Sequence, residues 1–420
     1  MPVSATVTQR RGRCVFSRSL TLLLSLCTLG VASAPRADDY PYPHAQETIG
    51  TVEQIYEGAM LPDLAVSTYR NIDRLFPTRT VQAGGHVRVL PKADRQLENV
   101  RFTYLGKQYD LFDYVAADGV TAMLVLKDGK VAFETYQRGN TDKTRWMSMS
   151  VAKSFTSTLV AAAIHDGSIK SLDSQVVDYV PRLRGSAYEG VTVRDVLMMA
   201  SGVKWSEAYS DPASDRRALL KAQIAQQPGS VMALMASRPR AAAPGTVNNY
   251  STGESQVLAE VLHSALDMPL ADYLSTKIWQ PFGMEHDAKW WLDSPDGREI
   301  GGSGISATLR DFGRFGLFFM NNGEIDGQSI LPDGWVQQAT TAKTLKNGTV
   351  SNYGYMWWPA RTEPSINDGA YSAIGMQGQN IYINPANKVV IVTFGAQPKP
   401  VRRDLIAPLA FFDAVVAELK

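Results

Sequence analysis

The chain has 420 residues, a formal net charge of +1 and a hydrophobic content of 45%. These values are typical of a soluble globular protein, and the chain is long enough to form two or three lobes with buried cores. The charge near zero argues against a nucleic-acid or anionic-membrane partner, because neither would exert a long-range electrostatic attraction. We therefore expect the partner to be a small molecule or the end of a short polymer.

The N-terminus has the pattern of a secretory signal peptide. Four arginines precede the apolar run 20–31, and the small residues Ala32, Ser33 and Ala34 follow it. A basic region, a short apolar region and an A-x-A-like end predict a signal peptide over 1–34, with cleavage at Ala37 as the alternative. The run is shorter than the roughly 20 residues of a membrane span. We expect an exported bacterial protein, periplasmic or secreted, with no membrane span once the signal peptide is removed.

The sequence indicates neither a metal site nor a cofactor site. The only two cysteines, Cys14 and Cys27, lie in the predicted signal peptide, so the mature chain is expected to lack disulfides and thiol chemistry. The chain has no P-loop, no dinucleotide-binding glycine motif after a strand and no G-x-S-x-G elbow. The histidines also lack the spacing of a zinc helix site; they are His44, His86, His165, His263 and His286.

The predicted elements begin with an irregular lead-in over 38–119. Two strand-like runs, 121–126 and 130–136, flank the turn pair Asp128-Gly129 and predict a hairpin. Apolar residues recur at helical spacing over 150–165 and predict a helix, which Asp166-Gly167 is expected to end. The later predictions are helices over 192–199, 255–265, 308–320 and 404–420, and a second hairpin with strands over 380–383 and 389–394.

Hairpins at both ends of a helical middle predict an α/β (α+β) fold. In this arrangement one antiparallel sheet, built from both ends of the domain 120–420, is flanked by helices. The segment from about 172 to 287 is expected to form an inserted helical lobe.

The sequence Ser150-Val151-Ala152-Lys153 is the candidate reaction centre. A serine hydroxyl becomes a nucleophile when a neighbouring base takes its proton, and a desolvated lysine of lowered pKa can be that base. Residues three apart share one face of a helix, so Lys153 would lie over Ser150. Backbone N–H groups at the start of the helix could hold an oxyanion.

A Ser-x-x-Lys pattern arises by chance about once in a chain of this size, so the surroundings must be weighed. Ser201 and Lys204 form a second match, but Gly202 interrupts it at the end of a helical run, and we interpret this match as a loop. For Ser150 the alternative is a helix N-cap with an exposed lysine. The pattern alone does not separate these two interpretations.

Several further stretches occur in a fixed order along the chain. They are 146–155 around Ser150, 192–202, Pro244-Gly245-Thr246 with Tyr250-Ser251-Thr252, 301–305 with 308–312, 353–358 and 378–385. Together they resemble the class C β-lactamase-related serine hydrolases of the penicillin-recognising superfamily. The resemblance runs from about 121 to 394 and implies a β-lactamase/D,D-peptidase-like fold.

The resemblance implies a role for each matching residue. Ser150 would be the acylated nucleophile, Lys153 its proton acceptor, and Tyr250 the acid and base that passes the proton to the leaving group. For Tyr250 the alternative is a buried aromatic with a satisfied hydroxyl. The second family motif commonly reads Tyr-x-Asn, but here the third residue is Thr252, whose hydroxyl could still bond to Lys153.

The third motif departs further from the family pattern. The family usually has lysine or histidine there, whereas 372–378 contains no cation. In lactamases and transpeptidases that cation helps hold a substrate carboxylate, so its loss favours the esterase and 6-aminohexanoate-dimer hydrolase branch. A backbone N–H of Ala373, Ile374 or Met376 would complete the oxyanion hole with that of Ser150.

This branch also implies substrate contacts. The loop around Tyr209 is similar to one that closes over substrate, with Tyr209 at the scissile amide and Glu207 or Asp211 near a substrate amine; a solvated acidic loop is the alternative. Trp358 would form a wall of the acyl pocket or else belong to the core. Ile374 and Gln377 would contact substrate beside the third motif, and Thr252 would contact it from the second.

The predicted reaction is therefore hydrolysis of a small ester or linear amide through an acyl-enzyme on Ser150. A rival on the same machinery is a β-lactamase or penicillin-binding D,D-peptidase, against which the missing cation argues. A rival of another class is a non-catalytic envelope-binding module. Dead relatives typically lose the serine or the lysine, and this chain keeps Ser150, Lys153 and Tyr250 together.

Overall fold

The computed structural model describes residues 1, 42–400 and 406–420. Apart from Met1, the predicted signal peptide with Cys14 and Cys27 lies outside these residues. Residues 42–400 and 406–420 belong to one compact unit.

Fourteen helices and sixteen strands are numbered here in chain order within the described residues. The helices are α1 Val52–Glu57, α2 Pro62–Tyr69, α3 Leu111–Ala117, α4 Val151–His165, α5 Val176–Tyr179, α6 Val193–Leu197, α7 Asp215–Ala225, α8 Ser230–Ala236, α9 Thr252–Leu266, α10 Leu270–Leu274, α11 Leu309–Met320, α12 Trp335–Thr340, α13 Glu363–Asn367 and α14 Pro408–Glu418. The strands are β1 Thr78–Val81, β2 Arg101–Tyr104, β3 Lys107–Asp110, β4 Val120–Lys127, β5 Lys130–Tyr136, β6 Arg145–Met147, β7 Ala288–Trp291, β8 Ile305–Thr308, β9 Glu324–Ile325, β10 Gln328–Ser329, β11 Lys343–Thr344, β12 Val350–Ser351, β13 Trp358–Pro359, β14 Tyr371–Gly375, β15 Gln379–Asn384 and β16 Val389–Gly395.

A six-stranded antiparallel sheet with the order β13-β14-β15-β16-β4-β5 lies at the centre of the fold. Strands β4 and β5 form the predicted first hairpin, with Ala122 opposite Tyr136. Strands β15 and β16 form the second, with Ile381 opposite Val392. Because β16 also pairs with β4, both ends of the domain meet in one sheet, as predicted.

Both faces of this sheet are covered. Successive strand residues point to opposite faces, so Leu124 of β4 joins the large core around α4 and α11, while Val125 joins a second core beneath α3 and α14. Each face is therefore apolar, which explains why β4 is a nearly continuous run of buried residues. The large core carries the start of α4, where Ser150 lies.

The helical middle of the chain contains α5 to α10, with a π-helical turn directly after α10. Some predicted boundaries were wrong. Helix α6 ends at Leu197 because Met199 has a left-handed backbone with φ 52°. Helix α9 begins at Thr252, three residues before the prediction. Helix α14 begins at Pro408, because the fixed φ and missing N–H of proline suit the first position of a helix.

The expectation of an irregular lead-in was wrong for residues 42–119, which contain three helices and three strands. Thr51 and Gln54 form a capping box that begins α1, a local signal that the sequence analysis missed. Strand β1 pairs with β7 and so extends a second antiparallel sheet, with the order β1-β7-β8-β6. This sheet holds the strand that leads into Ser150.

Candidate functional site

Ser150 lies at the turn that leads from β6 into α4. The preceding residue, Met149, has a left-handed backbone with φ 43°, which non-glycine residues adopt rarely and mostly at functional sites. Ser150 is the N-cap residue of α4, but its side chain makes no capping hydrogen bond. The N-cap alternative is therefore right about the position of Ser150 and wrong about an exposed lysine, because Lys153 is buried. The Ser150 hydroxyl does not cap the helix and is available to another partner.

That partner is Lys153, one helical turn further on and only 1% exposed. Its Nζ lies 2.8 Å from Ser150 Oγ and 3.1 Å from the carbonyl oxygen of Gly302. Burial lowers the pKa of Lys153 to about 7; the Glu207 carboxylate acts to raise it and the Arg216 guanidinium to lower it. A lysine with this pKa is partly neutral near pH 7 and can accept the proton of a serine hydroxyl.

Tyr250 completes this group, with its ring centroid 5.2 Å from Lys153 Nζ. Burial raises the pKa of Tyr250 well above its ordinary value, the Glu207 carboxylate adds to the rise, and hydrogen bonding with Ser150 opposes it. The Trp358 ring stacks against Tyr250 at a centroid distance of 5.6 Å. The phenol is therefore protonated at neutral pH, so Tyr250 can donate a proton while neutral Lys153 can accept one.

A cleft of about 410 Å³ opens over Ser150. Five residues that the sequence linked to substrate line it together with the serine: Glu207, Tyr209, Trp358, Ile374 and Gln377. The side chain of Gln377 is buried, and its amide donates to the Ile55 carbonyl at 3.0 Å. Of the three oxyanion-hole candidates, Ile374 and Met376 line the cleft, whereas Ala373 is buried in the core.

The expected bond between Thr252 and Lys153 is not formed. Thr252 Oγ1 donates to Glu207 Oε1 at 2.5 Å, and the Thr252 N–H donates to Glu207 Oε2 at 2.9 Å. The indole of Trp205 also donates to Glu207 Oε2. Glu207 thus ties the loop that carries Tyr209 to the first residue of α9, and its carboxylate is occupied by three donors.

Arg216, in the first turn of α7, is a site residue that the sequence analysis missed. It is 1% exposed, it donates from Nη2 to the hydroxyl of Tyr56, and its Nε lies 3.8 Å from Glu207 Oε1. Its neighbours Asp215 and Arg217 give this turn the composition of a solvated helix face, so no sequence signal marked it as buried. Asp211, the other acidic candidate, is exposed and does not line the cleft.

Two features are absent from the residues that the structure describes. No group of three or more histidine, cysteine, aspartate or glutamate side chains is arranged to hold a metal ion. Among the same residues, no helix has the length and apolar character needed to cross a membrane.

The fold and site can be compared with known proteins. A model of the Beta-lactamase family matches residues 113–414 of the chain. A 6-aminohexanoate-dimer hydrolase of Paenarthrobacter ureafaciens is 29% identical over 293 residues, which cover 66% of this chain and 73% of that protein.

Two solved structures share the architecture. A Bacillus anthracis protein assigned as a 6-aminohexanoate-dimer hydrolase has a TM-score of 0.76 at 22% identity, covering 88% of this chain and 98% of that one. A class C beta-lactamase has a TM-score of 0.55 at 19% identity, covering 73% and 93% of the two chains. At these identities the likeness speaks for the fold, and it confirms the predicted antiparallel sheet flanked by helices.

Proposed function

This chain belongs to the beta-lactamase family, and we propose that it hydrolyses small esters or linear amides through an acyl-enzyme on Ser150. That it is a serine hydrolase of this family follows from the family match and its relatives. One observation carries the proposed residue roles: Ser150 Oγ lies 2.8 Å from the Nζ of a buried lysine whose pKa is about 7.

In acylation, neutral Lys153 accepts the Ser150 proton as Oγ bonds to the substrate carbonyl carbon. The oxyanion that forms is held by the N–H of Ser150 and by one from Ile374 or Met376. When the intermediate collapses, the bond to the leaving oxygen or nitrogen breaks and the Tyr250 hydroxyl donates its proton there. Tyr250 regains a proton from Lys153, so the site returns to its resting charge.

In deacylation, a water molecule attacks the carbonyl carbon of the acyl-enzyme. Its proton passes to the Lys153 and Tyr250 pair, and the same oxyanion hole holds the second intermediate. The bond to Ser150 Oγ then breaks, Oγ takes a proton from Lys153, and the carboxylic acid leaves, so Lys153 is neutral again. No redox step or external group is needed in this sequence.

The cleft favours a partly apolar substrate that needs no ion pair to a carboxylate. Its walls include Tyr209, Trp358 and Ile374, and the stretch 372–378 supplies no cation to hold a carboxylate. A linear amide is also consistent with the name of the Paenarthrobacter relative. We further propose export, which rests on the pattern of residues 1–34 alone.

The test is hydrolysis of p-nitrophenyl acetate and of the linear 6-aminohexanoate dimer by the wild-type protein and by Ser150→Ala. We expect the variant to lose about 10³-fold or more in kcat/KM, because the nucleophile is gone. Ser206→Ala, which alters an exposed serine of the substrate loop, is the matched control and should retain activity. Equal activity of Ser150→Ala and wild type would contradict the proposal, and rapid nitrocefin hydrolysis would favour the β-lactamase alternative.

A further inference from the structure

A second, smaller cavity lies beside Ser150. It shares Ser150, Tyr209 and Met376 with the cleft, so it continues the cleft on the inner side of the serine. The space for the centre of a water molecule within it is about 10 Å³, enough for one small polar group. A leaving group must escape through the wide cleft, so the small cavity can receive only a substituent close to the carbonyl carbon of the acyl part.

Two polar side chains that line this cavity have buried polar atoms without a hydrogen-bond partner among the described residues. Arg216 is 1% exposed, and its Nε and Nη1 have no hydrogen-bond partner among the described residues. The hydroxyl of Ser303, which is 3% exposed, is likewise unpartnered within the described parts of the chain. Buried donors of this kind are normally satisfied, so their presence in one cavity points to a group that is bound there.

The charges around the cavity determine the kind of group. The Glu207 carboxylate lies 3.8 Å from Arg216 Nε and offsets the guanidinium charge. A second carboxylate would leave an uncompensated negative charge in a buried space, which is strongly unfavourable. The cavity therefore suits a neutral oxygen. A hydroxyl fits best, because it can accept from Arg216 and exchange a hydrogen bond with Ser303 in either direction.

We propose that Arg216 and Ser303 form a subsite for a hydroxyl group on the second or third carbon of the acyl part of the substrate. The protein would then act preferentially on esters or amides of hydroxy acids. This inference rests on the proposed acyl transfer to Ser150 and adds the substrate class. A water molecule could fill such a site when the acyl part has no hydroxyl, whereas an apolar group there would leave Arg216 Nε, Arg216 Nη1 and Ser303 Oγ without partners.

The test compares p-nitrophenyl butyrate with the p-nitrophenyl esters of 2-hydroxybutyrate and 3-hydroxybutyrate. Each kcat/KM is divided by the rate of hydroxide-catalysed hydrolysis of the same ester, which removes differences in intrinsic reactivity. We expect one hydroxy ester to exceed butyrate by about tenfold or more in the wild type, as a site built to bond a substrate hydroxyl requires. The ratio should fall to about 1 in Arg216→Met and decrease in Ser303→Ala.

Ser303→Ala keeps the inference testable if Arg216→Met does not fold. A ratio of 1 or less for both hydroxy esters in the wild type would overturn it, as would variants that lower all three rates by the same factor. These results would refute the hydroxyl subsite alone. The proposed function would instead be refuted if Ser150→Ala retained activity or if the wild type cleaved no ester at all.

Discussion

Lys153 is buried against Gly302, and its ammonium form loses hydration there without gaining a carboxylate in direct contact. Glu207 favours the charged form from a distance, and Arg216 disfavours it. The two charges thus act in opposite directions on a lysine whose pKa already lies near neutrality. The working pH of the site should therefore depend on this pair of residues as well as on the lysine itself.

The pH dependence of kcat/KM for p-nitrophenyl acetate follows from this arrangement. The base must be neutral, so activity should rise with pH through about 7, the pKa of Lys153. Glu207→Gln removes the group that raises this pKa, and the acidic limb of the profile should move to lower pH. Asp211→Asn, an exposed position on the same loop, is the control and should leave the limb in place. An unchanged limb in Glu207→Gln would exclude this account of the base.

The turn 301–304 places the Gly302 carbonyl against Lys153. The turn can pass close to α9 because Gly301 has no side chain: a Cβ there would lie 2.2 Å from the carbonyl oxygen of Ser255 and 2.8 Å from Cβ of Ala259. Both are atoms of a packed helix, which cannot yield as a flexible side-chain end would. The glycine is thus required by the approach of two elements.

Gly301→Ala should lower the free energy of unfolding by about 2–3 kcal/mol, because backbone must move to relieve the overlap. It should also reduce esterase activity, since the carbonyl that accepts from Lys153 moves with the turn. Gly85→Ala is the matched control: a Cβ at Gly85 would meet no atom within 4 Å. Urea unfolding of both variants tests the prediction, and equal stabilities would contradict it.

Elements with a strong local pattern were predictable from sequence. The turn pair at Asp128-Gly129 identified the first hairpin, and the apolar period after Ser150 identified α4, because these signals lie within single elements. The second sheet was missed because β1 and β6 to β8 have only three or four residues each and pair across long stretches of chain. Such pairing depends on packing that short apolar runs do not reveal.

Some residues of the site could likewise be predicted from the sequence, and others could not. The positions of Ser150, Lys153 and Tyr250 could be inferred because each lies in a stretch that resembles a known family. Arg216 and the hydrogen bonds of Glu207 could not, because a buried charge has no periodic signature and its partners come from distant parts of the chain. The roles of all these residues remain predictions for the experiments above.

Residues 42–119 are built into the fold. Val52 and Ile55 of α1 belong to the large core that contains α4, while Phe102 of β2 and Tyr114 of α3 belong to the second core beneath α14. The segment therefore supplies apolar surface to both sides of the central sheet. It also reaches the site, because the Tyr56 hydroxyl accepts from Arg216.

A chain that begins at residue 120 should consequently fail to fold, although it contains Ser150, Lys153 and Tyr250. It would expose both cores and leave the buried Arg216 without its bond to Tyr56, and such exposed apolar surface promotes aggregation. A chain that begins at residue 42 is the control and should be soluble, with wild-type kcat/KM for p-nitrophenyl acetate. Size-exclusion chromatography and thermal unfolding separate the two. If the chain from residue 120 is soluble, unfolds cooperatively and is active, then residues 42–119 are not needed for the hydrolase domain to fold or to act.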